Sequence, residues 1–156
     1  MRKRIIELTD AEHQVITPWI DIEHVATVEV TSEDPRFPVE GALTLHETRA
    51  RGWRAAVPGR QLIRIQFDQP ERVRRVEIAF TEERERTQEF LLAWSNDNGL
   101  TYREIVRQQW NFGPGAPEQA EEYDVDLRDV TTLALHITPD ISGGSAPATL
   151  ARLRVA

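Results

Sequence analysis

Two stretches of the chain carry side chains suited to binding chemistry. Trp110, Asn111 and Phe112 open residues 109–120, which hold two prolines and two glycines and so read as a loop. A loop aromatic is a surface on which a sugar ring stacks, and Asn111 adds an amide beside it. The competing reading is that both rings plug one end of the core. His46, Glu47, Arg49 and Arg51 form the second stretch, with polar groups able to bond hydroxyls or a carboxylate. Arg84 and Arg86 add two further guanidinium groups able to bond ring substituents. For these residues the competing reading is solvation of an arginine-rich surface.

Other chemistries fail on spacing. Asn96-Asp97-Asn98-Gly99 looks like part of a calcium loop, but placing Gly99 at the glycine position puts Trp94 first and Ile105 last, and neither ligates calcium. His13, His24, His46 and His136 show no zinc-ligand spacing with a third ligand nearby. In Asp21-Ile22-Glu23-His24, strand alternation would send His24 away from the two carboxylates. No serine-elbow or phosphate-loop motif is present. Glu82, Glu83, Glu85 and Glu89 are candidates for a glycosidase acid–base pair, but they sit in a run of mixed charge that reads more simply as a solvated turn. The expectation is a non-enzymatic protein with no cofactor and no metal.

The residues that remain must be positioned by a scaffold, and composition bounds it. With 156 residues the chain fits one domain, and without cysteine it has no disulfides or thiolate chemistry. A net charge of −7 argues against a nucleic-acid partner. The basic residues are almost all arginine, Lys3 being the single lysine, which suits carboxylate contacts but reads first as composition bias. The opening run of Ile5 and Ile6 is cut by Glu7 and Asp10, so it is no secretory signal, and no apolar run approaches the ~20 residues of a membrane span. A cytoplasmic location is therefore expected.

Strand-like alternation recurs along the whole sequence. The clearest unit is the hairpin of residues 87–109, in which Phe90, Leu92 and Trp94 share a face and the Asn96–Gly99 turn reverses the chain. Further strands are expected at 26–32, 61–67, 76–80, 123–128, 133–137 and 151–155, with 15–22 as an edge strand because of Pro18. Residues 38–43 suit a helical turn, residues 45–59 read as a long loop anchored by Trp53, and the short link between 61–67 and 76–80 predicts that those two runs pair antiparallel. About eight alternating strands without a long helix predict an all-β antiparallel sandwich.

The order of these features resembles the discoidin-like, or coagulation-factor type C, domains of the galactose-binding-like jelly rolls. The segments that carry the resemblance are VTSEDPRFPVEGAL, Gly52-Trp53, LIRIQFD, VRRVEIAF, LLAWSNDNGLTYREI and ATLARLRV, spanning residues 28–155. The resemblance implies an eight-stranded jelly roll over residues 25–156 after a lead-in of residues 1–24, with Trp53 in the core. It also implies a non-catalytic module whose end loops bind a ligand, often a glycan. Many relatives hold a calcium ion near the tryptophan loop. Thr44 and Arg152 stand where those relatives have acidic residues, so the expectation is no calcium, with the Arg152 guanidinium bonding the loop carbonyls instead.

These readings lead to a binding module for a saccharide or other polar small ligand, with Trp110, Asn111, Phe112, His46, Arg51, Arg84 and Arg86 as the site. An intracellular domain that meets a protein partner is the alternative, and homo-oligomerisation stays open. Trp53 and Trp94 are both expected in the core.

Overall fold

The computed structural model describes residues 2–6 and 17–156. After a helical turn α1 (Ile22–Val25) come β1 (Ala26–Val30), a second turn α2 (Glu40–Leu43), a 3-10 turn (Glu47–Arg49) and β2 (Trp53–Pro58). The rest is strand: β3 (Gln61–Thr81), β4 (Arg86–Ser95), β5 (Arg103–Phe112), β6 (Glu118–Thr138), β7 (Pro147–Leu150) and β8 (Arg152–Val155). Every pairing among them is antiparallel. No helix among the described residues is long and apolar enough to cross a membrane.

Two long strands carry the sandwich. The first part of β3 pairs with β1 and with the last part of β6, which in turn pairs with β4, and β4 with β5. The second part of β3 pairs with the first part of β6 and with β8. Both strands therefore pass from one layer to the other, and the register shifts between Gln66 and Arg75 mark the bend. Pro70 lies within that irregular stretch of β3, and on β6 Asp129 takes a positive φ of 56°. Alternation sends Ile63, Ile65, Val76, Ile78 and Phe80 of β3 inward against Leu133, Leu135 and Ile137 of β6 and Phe90 and Leu92 of β4. Phe80 and Phe90 meet with ring centroids 5.1 Å apart.

Several expectations need correction. The runs 61–67 and 76–80 do not pair with each other but belong to one strand, and 123–128 and 133–137 likewise form one strand, β6. Residues 17–21 make no strand and Ile22 opens a helical turn, while residues 15 and 16 lie outside the described residues. Within the expected loop 45–59, β2 forms and pairs with β7, burying Trp53 and Ala55. The expected loop at 109–120 is shorter at both ends, because β5 runs to Phe112 and β6 starts at Glu118. Trp94 does face the core side of β4 but is only partly buried, with the Arg103 guanidinium 5.7 Å from its ring.

The hairpin turn shows how local chemistry sets register. Asn98 and Gly99 both adopt positive φ, as a tight reversal requires. Asp97 locks the turn, accepting from the Ser95 hydroxyl at 2.5 Å, the Thr101 hydroxyl at 2.5 Å and the Thr101 N–H at 2.9 Å. Those bonds, the Ser95 hydroxyl first, hold its carboxyl down at about 2, against an ordinary value of 3.8.

A depressed carboxylate contributes stability above its unfolded pKa and loses it as pH falls through the folded one. Urea midpoints measured from pH 6 downward should therefore fall between about pH 3.8 and 2, and Asp97→Asn should flatten that part of the profile. Trp53, only 1% exposed, and Trp94 should separate clearly in urea unfolding. Trp53→Ala should cost about 3–5 kcal/mol and Trp94→Ala roughly 1–2 kcal/mol.

Candidate functional site

Three connections converge at one end of the sandwich. Thr81, the last residue of β3, pairs with Glu118, the first of β6, and the Glu82 N–H donates to the Pro117 carbonyl at 2.8 Å. On the other side the Ile141 N–H donates to the Thr87 carbonyl at 2.8 Å, laying the β6–β7 connection against the start of β4. These ties leave two clefts.

The first cleft, of about 530 Å³, is lined by Glu85, Arg86, Thr87, Asn111, Asp140 and Ser142, with Phe112 beside them. The Thr87 hydroxyl donates to the Asn111 Oδ1 at 2.7 Å, so the amide N–H groups are the part of Asn111 left for a ligand. Asp140 accepts the Ser142 N–H at 3.0 Å, a short turn that fixes its carboxylate near the opening. Carboxylate, amide and hydroxyl groups together make a surface that can both accept from and donate to hydroxyls.

The second cleft, of about 280 Å³, lies between Phe37, Arg51, Trp53, Arg54, Thr81 and Thr149. Its back is close-packed backbone. Gly52 has a φ of 75°, and a Cβ there would come within 2.9 Å of the Leu150 carbonyl oxygen, so only glycine lets the chain turn between Arg51 and Trp53. Arg54 lies with its guanidinium 4.5 Å from the centre of the Phe37 ring.

Arg86 stands between the clefts. Its side chain is 1% exposed, and it donates through Nη1 to the Pro147 carbonyl at 3.0 Å and through Nη2 to the Thr149 hydroxyl at 3.3 Å. Glu82 pairs with it at 3.3 Å. Burial pushes the Glu82 carboxyl up, but bonds from Arg84 and the charge of Arg86 outweigh this and hold it below its ordinary value. Burial lowers the Arg86 guanidinium, which remains a cation at neutral pH.

The sequence-derived candidates thus divide. Asn111 lines the first cleft and Arg51 the second. Phe112 is 2% exposed and offers no open ring face, so it cannot serve as a stacking platform. Trp110 alternates with Asn111 along β5, faces inward, and is partly buried against the core with its ring edge-on to Phe112. Arg86 is buried structure rather than a free ligand group, and exposed Arg84 is engaged with Glu82 at 3.2 Å. His46 is exposed before the 3-10 turn, its N–H bonded to Thr44, and belongs to neither cleft. Phe37, Arg54, Asp140 and Ser142 were missed. Ser-Gly-Gly-Ser around residues 142–145 was a loop signal available for the last of these.

At the position where the resemblance implies an ion, the Thr44 hydroxyl accepts the His46 N–H at 3.1 Å. The sequence-based expectation that the Arg152 guanidinium bonds the loop carbonyls is corrected: it pairs with Glu77 on the neighbouring strand.

No protein-family model matches the sequence, and no curated protein matches it. Solved structures do match. A family 32 carbohydrate-binding module from Clostridium perfringens, in complex with GalNAc-β-1,3-galactose, superposes with a TM-score of 0.62 at 16% identity, covering 88% of this chain and 99% of its own. The chain has the discoidin-like jelly-roll fold. A pectin-binding carbohydrate-binding module shares the jelly roll with a TM-score of 0.60 at 12% identity, over 85% of this chain and 90% of its own. So does a family 32 module in complex with 4,5-unsaturated mannuronic acid, with a TM-score of 0.56 at 18% identity, over 90% of this chain and 98% of its own.

The buried pair at the end of this jelly roll should be its most sensitive polar contact. Arg86→Ala leaves Glu82 and the Pro147 carbonyl without their cation and should cost about 3–5 kcal/mol in urea unfolding. Arg84→Ala removes only an exposed partner of the same carboxylate and should stay within about 0.5 kcal/mol.

Proposed function

We propose that this domain is a non-catalytic carbohydrate-binding module that takes its ligand at the end carrying the two clefts. The observation that carries the reading is the first cleft, where Asn111, Thr87, Asp140 and Ser142 bring an amide, a carboxylate and hydroxyls to one opening of about 530 Å³. Sugar hydroxyls each donate and accept, so a recess with both kinds of partner on a rigid strand-and-loop frame suits them. That saccharides appear in the solved structures sharing the fold supports the same reading. Phe112 is buried, and Trp110 is partly buried and outside the lining of either cleft, so on this reading recognition rests on hydrogen bonds and on the edges of the recess.

Calorimetric titration against a panel of neutral and acidic oligosaccharides tests it. At least one should bind, and Asn111→Ala and Asp140→Ala should each weaken a neutral ligand roughly tenfold, about 1.4 kcal/mol, without shifting the thermal midpoint. If no saccharide binds to the folded protein while a protein partner is reproducibly captured and mapped to this end, the reading fails and an interaction domain replaces it.

A further inference from the structure

The second cleft differs from the first in charge. Arg51 and Arg54 both line it, and no carboxylate lines it among the described residues. Half of the arginines of this chain are engaged by acids, among them Arg36 with Asp34, Arg49 with Glu23, Arg64 with Glu29, Arg72 with Asp126 and Arg107 with Glu89. Neither Arg51 nor Arg54 forms an ion pair or a side-chain hydrogen bond among the described residues. The Arg54 Nε is buried there without an acceptor. Two arginines that no acid holds by a direct contact thus line one recess, the Asp34 carboxylate that lies within Coulombic range of Arg54 being bonded to Arg36 instead.

Arg54 is also held in place. Its guanidinium lies against the Phe37 ring, and its backbone is bonded on both sides, the Arg54 N–H to the Phe37 carbonyl at 3.1 Å and its carbonyl to the Asp34 N–H at 2.8 Å. A planar fork fixed in this way matches the two oxygens of a carboxylate, and the Thr81 and Thr149 hydroxyls beside it suit the hydroxyls of a sugar ring. The recess has room for about one monosaccharide. Long-range repulsion from the net negative charge favours a singly charged group over a polyphosphate or polysulfate.

We propose that the cleft of Phe37, Arg51 and Arg54 binds the carboxylate of a uronic acid residue, so that the ligand of this module is an acidic saccharide. This rests on the saccharide reading above and narrows it to a ligand class.

Titration of the full chain with a trigalacturonate and with a neutral galactose trisaccharide of the same linkage separates the two. The uronate should bind at least tenfold more tightly, and its advantage should shrink as salt is raised from 50 to 500 mM, about a threefold shortening of the screening length. Arg51→Gln, at an exposed position, and Arg54→Gln should each bring the uronate-to-neutral affinity ratio down to about one, with folding checked by tryptophan fluorescence. Equal affinities for the two trisaccharides, a ratio unmoved by both variants, or displacement of the uronate by equimolar sulfate would overturn the proposal. Neutral binding alone would retain the carbohydrate module and sink the uronate. Binding of neither would sink the uronate and leave the carbohydrate reading to the wider panel.

Discussion

The ladder between β3 and β6 is the constraint on which the fold depends. It supplies the backbone hydrogen bonds at the centre of the six-stranded sheet, with β1 and β8 added to β3 and β4 added to β6, while β2 and β7 pair only with each other. Its bend decides which part of each strand faces which sheet, and thereby which residues reach the cleft end. Thr81 and Glu118 arrive there together because they are paired, and the loops that carry Glu82 and Pro117 follow from them. The candidate site is thus assembled by sheet register, with loops adding the outer groups.

Much of this was readable in the sequence, for reasons that also explain what was not. Alternation at Phe90 and Leu92 and at Leu133, Leu135 and Ile137 fixes an inward face, and Asn98-Gly99 supplies the backbone conformations of a reversal. Pro70 and the polar residues around it interrupt the period of β3, and a broken period looks like two strands when it is one strand changing sheets. β2 escaped notice because it is short, with small Ala55 and Ala56 between its arginine and its proline, and its pairing with β7 is a long-range fact.

The placement of the candidate site residues follows the same logic. A loop at residues 109–120 would leave Trp110, Asn111 and Phe112 equally free, whereas a strand reaching Phe112 forces neighbours to opposite faces, inward for the two rings and outward for the amide. Arg86 was read from its charged neighbours as solvated, but it begins β4 on the inward register of Gln88 and Phe90. Local charge density could not reveal that Pro147 and Thr149, far along the chain, would close over it. Arg54 was hidden by the missing strand, since only its pairing with Thr149 places it on the cleft.

Arg86 has a further consequence. One guanidinium ties β4 to β7 and to the Glu82 turn, and it forms part of the partition between the two recesses. A ligand entering the first recess meets a wall whose rotamer is already fixed, and in the second it meets Thr149, which the same guanidinium holds, so little conformational entropy has to be surrendered there on association. The same tether makes the two recesses mechanically dependent, because a shift of β7 that widens one must carry the partition with it. Preorganisation of this kind favours ligands that fit the existing spacing, and selectivity then comes from the distance between groups held on either side of a single immobile cation.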